Sequence, residues 1–347
     1  MAQPLTANRS PHTPPPLTPA PPPATSPPVL RRLLIPALLL SACSASEGAL
    51  ERVAEAEARN DGPAIWVARD ADSTLYLYGT LHLVPTDADW QRADLDAAFA
   101  RAGTVFFEVA DDDASALRAE RLTQARGFQP PGGRLSRGWD QYSTKTLEIA
   151  ALSADIPLEV LDTLQPWLAS ELVTIAAAEK AGLSPALSPD EALKSRANRR
   201  GKFVRYLDTA EDQLALSADV APDVQLDNLL KLLARYNSIG PELQAIAREW
   251  IEGDVDALAR RLANSVTGDA RATVFTARNE KWADELAEWM EGSGTALAAV
   301  GVGHLVGEDS LLDMLEARGV DTRRFYAFQG ESVISTVDAT VARPGNE

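Results

Sequence analysis

The chain has 347 residues, 45% of them hydrophobic, and 33 basic against 50 acidic side chains give a net charge of −17. That length and apolar share suffice for one large core or two modest ones, while the acidic balance argues against nucleic acid and anionic lipid head groups as partners. A single cysteine, Cys43, excludes intrachain disulfides and Cys-ligated zinc, and leaves no thiolate nucleophile downstream of it.

Residues 1–28 are rich in Pro, Thr and Ala without apolar periodicity, and an unstructured leader is expected there. Arg31-Arg32, the apolar run Leu33 to Leu40 and then Leu40-Ser41-Ala42-Cys43 have the shape of a secretory signal peptide, too short for a membrane span of ~20 residues. Small residues before the cysteine resemble a bacterial lipobox. This predicts a leader and signal over 1–42, a lipid on Cys43, membrane attachment through that lipid, and an exported protein of the cell envelope. The plainer alternative is a cleaved signal with Cys43 incidental. The proline-rich stretch ahead of the basic pair suggests a start near Val29. Without residues 1–42 the chain keeps 30 basic residues against 50 acidic, near −20. Residues 43–61 read as a tether, 62–334 as an α/β domain and 335–347 as a disordered tail.

Within the domain, Ala64 to Ala68 and Thr74 to Tyr78 flank Asp70-Ala71-Asp72-Ser73 and predict a hairpin that ends in Gly79-Thr80-Leu81-His82. Gly79 suits a sharp change of backbone direction. A helix is expected from Trp90 to Ala102, closed by Gly103. Thr104 to Val109 reads as a central strand carrying Glu108 near its end. Helices follow at about Ala114 to Arg126 and Thr144 to Ser153, and Pro166-Trp167 opens another. Ser188-Pro189-Asp190-Glu191 reads as a helix start with proline at the first position and a capping box. Phe203 to Asp208 is a further strand; a helical insertion spans about 209–294. One of its helices, Arg271 to Glu291, has Phe275, Trp282, Leu286 and Trp289 as its apolar stripe, with Arg278 and Asn279 on the same face. Buried polar groups need partners, so these two either cap a loop or reach the candidate site. Ala296 to Val300 then leads into Gly301-Val302-Gly303-His304, followed by a helix over Ser310 to Arg318 and a last strand over Arg324 to Phe328.

Two of the three histidines, His82 and His304, each stand three residues past a glycine at the end of an apolar strand. Open α/β sheets place ligands at such strand ends, so the pair reads as one site with Glu108. Two imidazoles and a carboxylate are a ligand set for a catalytic divalent metal; without one, a histidine could act as general base. No His-Glu-x-x-His, Gly-x-Ser-x-Gly, Walker or dinucleotide motif occurs. Asp111-Asp112-Asp113 reads as a solvated helix start and the tryptophans as core.

The chain resembles the TraB/GumN proteins, relatives of the TIKI proteases and more distantly of ChaN-like and erythromycin-esterase-like proteins. The resemblance rests on Tyr78-Gly79-Thr80-Leu81-His82, Phe107-Glu108, Pro166-Trp167, Leu207 to Gln213, Arg278-Asn279 and Val300 to Leu305, and covers about Ala64 to Phe328. It implies an α/β fold with a mixed or mostly parallel sheet and, for the TIKI branch, metal-dependent peptide cleavage. Carried over, His82, Glu108 and His304 would ligate Mn, Co or Zn or act in catalysis, Arg278 and Asn279 would support them or stabilise an oxyanion, and the substrate would be a peptide or protein. Asp208 departs from the pattern, which has glutamate there. The alternatives are a non-catalytic protein that sequesters a peptide or ligand, and a metal-independent esterase-like hydrolase with a histidine base.

Overall fold

The computed structural model describes residues 62–110, 112–265 and 272–325. The expected signal, Cys43, the tether, Asp111, Arg271, the tail and the last part of the final strand lie outside them. Eight strands are described: β1 (Ile65–Arg69), β2 (Ser73–Thr80), β3 (Val84–Pro85), β4 (Thr104–Val109), β5 (Leu183–Ser184), β6 (Phe203–Asp208), β7 (Gly294–Gly301) and β8 (Thr322–Arg324). Six form one sheet in the order β6-β4-β7-β2-β1-β8, and β3 pairs with β5 apart from it. The neighbours from β6 to β2 are parallel; β1 and β8 are added antiparallel. The result is a mixed, mostly parallel α/β sheet with helices around it.

The helices are α1 (Ala93–Arg101), α2 (Asp113–Arg126), α3 (Gln141–Ala154), α4 (Leu158–Leu161), α5 (Pro166–Lys180), α6 (Pro189–Arg199), α7 (Ala210–Ala218), α8 (Pro222–Ala234), α9 (Tyr236–Ile251), α10 (Val255–Ser265), α11 (Ala277–Met290) and α12 (Leu311–Glu316). Side chains fix several starts. Asp112 accepts from the Ala114 and Ser115 amides, and capping boxes join Thr209 to Asp212 and Ser310 to Asp313. No helix of the described residues is long and apolar enough to cross a membrane.

The expected hairpin forms because Asp70 Oδ1 accepts from the Asp72 and Ser73 amides, at 3.1 and 2.6 Å, and turns the chain from β1 into β2. Interior strands lose the alternation of a one-sided sheet. In β7, Ala296 to Val300 are all fully buried, as expected of a strand covered on both faces.

Register is what positions the site. β2 and β7, more than two hundred residues apart in sequence, lie side by side and parallel, with Gly79 opposite Val300 and Thr80 opposite Gly301. Both Gly-x-x-His loops therefore leave the same edge of the sheet. Glu108 near the end of β4 and Asp208 at the end of β6 come to that edge too.

Several boundaries differ from expectation. The α-helix expected from Arg271 begins at Ala277, after a π-helical turn over Ala272–Thr276, and the one expected from Thr144 begins at Gln141, where Asp140 caps it. The helix after Trp90 begins only at Ala93, because Arg92 is extended and turns back on Asp94. The final strand starts at Thr322, where Thr322 to Arg324 pair with Ala68 to Trp66.

Candidate active site

Neither Gly79 nor Gly301 has a positive φ, so a sharp turn is not what demands them. A Cβ on Gly79 would lie 3.0 Å from Val302 Cγ2, and one on Gly301 would lie 3.0 Å from Glu108 Oε1. Each glycine of the repeated motif gives up its side chain to let another part of the site approach: the second loop in one case, the glutamate in the other. Trp250 adds a tie, its indole N–H donating to the Gly79 carbonyl at 2.8 Å.

Glu108 is buried. Its Oε1 accepts from the Gly301 amide at 2.5 Å and its Oε2 from Arg278 Nη2 at 3.1 Å. Burial on its own would raise the carboxyl's pKa. The Arg278 guanidinium, with His304, His82 and the Gly301 amide behind it, outweighs that and holds it at about 2. His304 Nε2 lies 4.0 Å from Glu108 Oε1.

His304 is fixed on every side. Asn279 Nδ2 donates to the Asp309 carbonyl at 2.8 Å, which turns Oδ1 toward His304 Nδ1 at 2.6 Å. Nδ1 therefore carries the proton, and the bare Nε2 accepts from Arg278 Nη1 at 3.1 Å. The ring packs against Trp282 and Phe275, with centroids 4.3 and 5.0 Å away. Burial first, and then the Arg278 charge, depress its pKa to about 3 against the opposing pull of Glu108.

Arg278 spends all five of its N–H donors inside the protein. Nε goes to Asp208 Oδ2 at 2.8 Å, Nη1 to His304 and to the Val274 carbonyl, and Nη2 to Glu108 and to Gln213 Oε1 at 3.2 Å. Its guanidinium also sits over the Trp282 ring, 4.5 Å from the centroid. Asp208 is held in turn by Lys281 Nζ at 2.9 Å and Trp282 Nε1 at 3.0 Å. The shorter acid at this position thus anchors the arginine. With its five donors spent this way, Arg278 holds Glu108 and His304 in place and offers no free hydrogen to an oxyanion, while Asn279 uses one N–H on the Asp309 carbonyl and its oxygen on His304.

His82 is different. Its side chain is 27% exposed, whereas those of Glu108, Asp190, Arg278 and His304 are at or below 10%. Its Nε2 lies 3.8 Å from Oδ2 of Asp190, whose other oxygen accepts from Thr80 Oγ1 at 2.9 Å. Asp190 Oδ2 and the Tyr78 hydroxyl are buried without a hydrogen-bond partner. Burial raises the Asp190 carboxyl above the usual carboxylate range, and nearby Glu108 adds to this against the opposing pull of His82 and Lys194. Asp190 is the site residue that sequence reasoning missed. At the first turn of α6 it reads as a helix-start acid; its proximity to His82 comes only from the fold.

A divalent ion shared by His82, Glu108 and His304 would need donor atoms about 2.0–2.2 Å from one point. The donor chemistry suits an ion: Glu108 is ionised, and His304 gives its other ring N–H to Asn279 as metal-bound histidines do. The arrangement does not suit one. Arg278 already takes His304 Nε2 and Glu108 Oε2, and among the described residues no three His, Cys, Asp or Glu side chains converge on one point. A dication about 4 Å from that guanidinium would be repelled by on the order of 8 kcal/mol at an effective dielectric constant of about 20. As placed, these side chains do not fit the ion.

Residues 64–324 match the model of the TraB/PrgY/gumN family. The chain belongs to that family. No curated protein and no solved structure matches it. The matched span runs from just before β1 to the end of β8, so both Gly-x-x-His loops, Glu108, Asp208, Arg278 and Asn279 are parts of the TraB/PrgY/gumN domain, and so is Asp190.

Proposed function

We propose that this TraB/PrgY/gumN protein is a hydrolase of peptide or ester bonds in which His82 moves the proton and the buried Glu108, Arg278 and His304 keep the site's shape and charge. The observation that carries this reading is the difference between the histidines. His304 is buried with both ring nitrogens engaged, while His82 is reachable from solvent and backed by a buried carboxylate. With Nε2 turned to Asp190, Nδ1 is left to take a proton from water as that water's oxygen attacks the carbonyl carbon. The carbon–oxygen bond forms, the bond to the leaving nitrogen or oxygen breaks, and the same ring returns the proton to the departing atom.

The test is incubation of purified protein with a library of peptides and acyl esters, products read by mass spectrometry. Hydrolysis that His82→Gln abolishes is expected; hydrolysis unchanged by that substitution would remove the reading. Stoichiometric capture without product would replace it with a sequestering protein. The metal-dependent peptidase that the family resemblance implies, with Mn, Co or Zn on His82, Glu108 and His304, draws support from the fixed tautomer of His304. Activity lost on chelation and restored by the ion would favour it.

We also propose that the protein is exported and anchored in the cell envelope by a lipid on Cys43. The sequence Leu40-Ser41-Ala42-Cys43 supports this. Labelled fatty acid incorporated by wild type and not by Cys43→Ser is the expected result; equal labelling would reject it.

A further inference from the structure

Both carboxylates that Arg278 touches, Glu108 and Asp208, have a cation beside them without an added ion, and Asp208 has the half-exposed Lys281 as a second one. The guanidinium sits between the groups that residue type alone would assign to a metal: Nη1 is 3.1 Å from His304 Nε2, and Nη2 is 3.1 Å from Glu108 Oε2. It is also held from outside the cluster, by Asp208, Gln213 and the face of Trp282. The neighbouring residue on α11, Asn279, fixes the tautomer of His304 that presents a lone pair to this guanidinium. One helical turn therefore supplies both the cation and the clamp that makes His304 its acceptor.

We infer that Arg278 is the resident cation of this site, a guanidinium standing where a divalent metal ion would otherwise sit between Glu108 and His304. An arginine keeps its charge across the whole working range of pH and offers directed donors in a plane. Here it ties four residues from different elements into one rigid unit and excludes a second cation by charge and by occupancy. The inference concerns what fills the site and holds whether or not turnover is found. Its failure and that of the hydrolytic reading are therefore separable.

The experiment is a titration of the purified, chelator-stripped chain with Zn²⁺, Mn²⁺ and Co²⁺, followed by calorimetry, tryptophan emission and, for Co²⁺, visible absorption. Trp282 touches both His304 and Arg278, so an ion entering there changes its emission. Wild type is expected to show no saturable uptake that His304→Ala removes. Arg278→Met, similar in length and uncharged, is expected to bind at least one of the ions at least tenfold more tightly than wild type, and to lose that gain when His304→Ala is added. One equivalent bound by wild type and lost in His304→Ala overturns the inference. So does a folded Arg278→Met that binds no better than wild type. If Arg278→Met does not fold, the wild-type titration decides alone.

Discussion

Replacing Arg278 with methionine removes the strongest opposing influence on Glu108, and the consequence can be worked out as a function of pH. In the folded chain Glu108 titrates at about 2, against an ordinary value of 4.5. A folded-state pKa below the unfolded one contributes stability that is complete above the unfolded pKa and lost as pH falls through the folded one. A difference of about 2.5 units corresponds to roughly 3 kcal/mol at about 1.4 kcal/mol per unit. It is fully present above about pH 4.5 and gone near pH 2. In Arg278→Met, burial becomes the leading influence on the carboxyl and the sign reverses: the folded form prefers it neutral, and stability declines as pH rises through 4.5 and beyond. The two proteins should therefore be closest in stability near pH 2 to 3 and diverge as pH rises. At pH 7 the loss should be at least about 3–5 kcal/mol, the usual result of breaking a buried ion pair from one side. Urea unfolding midpoints measured at unit intervals from pH 3 to 7 give the curve. A gap of constant size at every pH would show that Arg278 does not govern the charge of Glu108.

Glu171, buried on α5, is pushed up to about 8 by burial, against a partial counter-effect from a hydrogen bond with Ser217. Here the sign is opposite: the stability it contributes is whole below about pH 4.5 and falls by about 1.4 kcal/mol per unit up to pH 8. Glu171→Gln should be more stable than wild type by a few kcal/mol at pH 8, read as a higher urea midpoint, and match it near pH 4; equal curves at both would rule this out. Gly79→Ala puts a methyl 3.0 Å from Val302 Cγ2 and should destabilise by about 1–3 kcal/mol, the range for overpacking. Adding Val302→Ala should recover part of that loss, and no recovery would mean that space is not the reason for the glycine.

Much of this architecture is legible in the sequence because its signals are local. The β1–β2 hairpin follows from two apolar runs around an aspartate turn, and the central strand from Val105-Phe106-Phe107. The face of α11 follows from the spacing of Trp282 and Leu286, with Phe275 in the π-helical turn just before it, which puts Arg278 and Asn279 beside the site. Strand order is another matter. Nothing near Gly79 or Gly301 says that β2 and β7 are neighbours, since that pairing is decided by the packing of everything between them. The same holds for Asp190. Acids are common in the first turn of helices, so its chemistry is hidden behind a sufficient local explanation until the fold sets it against His82. Residue type alone reads two histidines and a glutamate as a ligand set; that a guanidinium from a distant helix lies between Glu108 and His304 shows only in the fold.

The most direct test of the proton-transfer role is a comparison of turnover in wild type, His82→Gln and Asp190→Asn on whichever peptide or ester the library identifies, with the fold of each protein checked by circular dichroism. The account predicts loss of at least a hundredfold in kcat for His82→Gln, within the typical contribution of a positioned general base of roughly 10²–10⁴, and a smaller but clear fall for Asp190→Asn. A correctly folded His82→Gln that turns over as fast as wild type would contradict it.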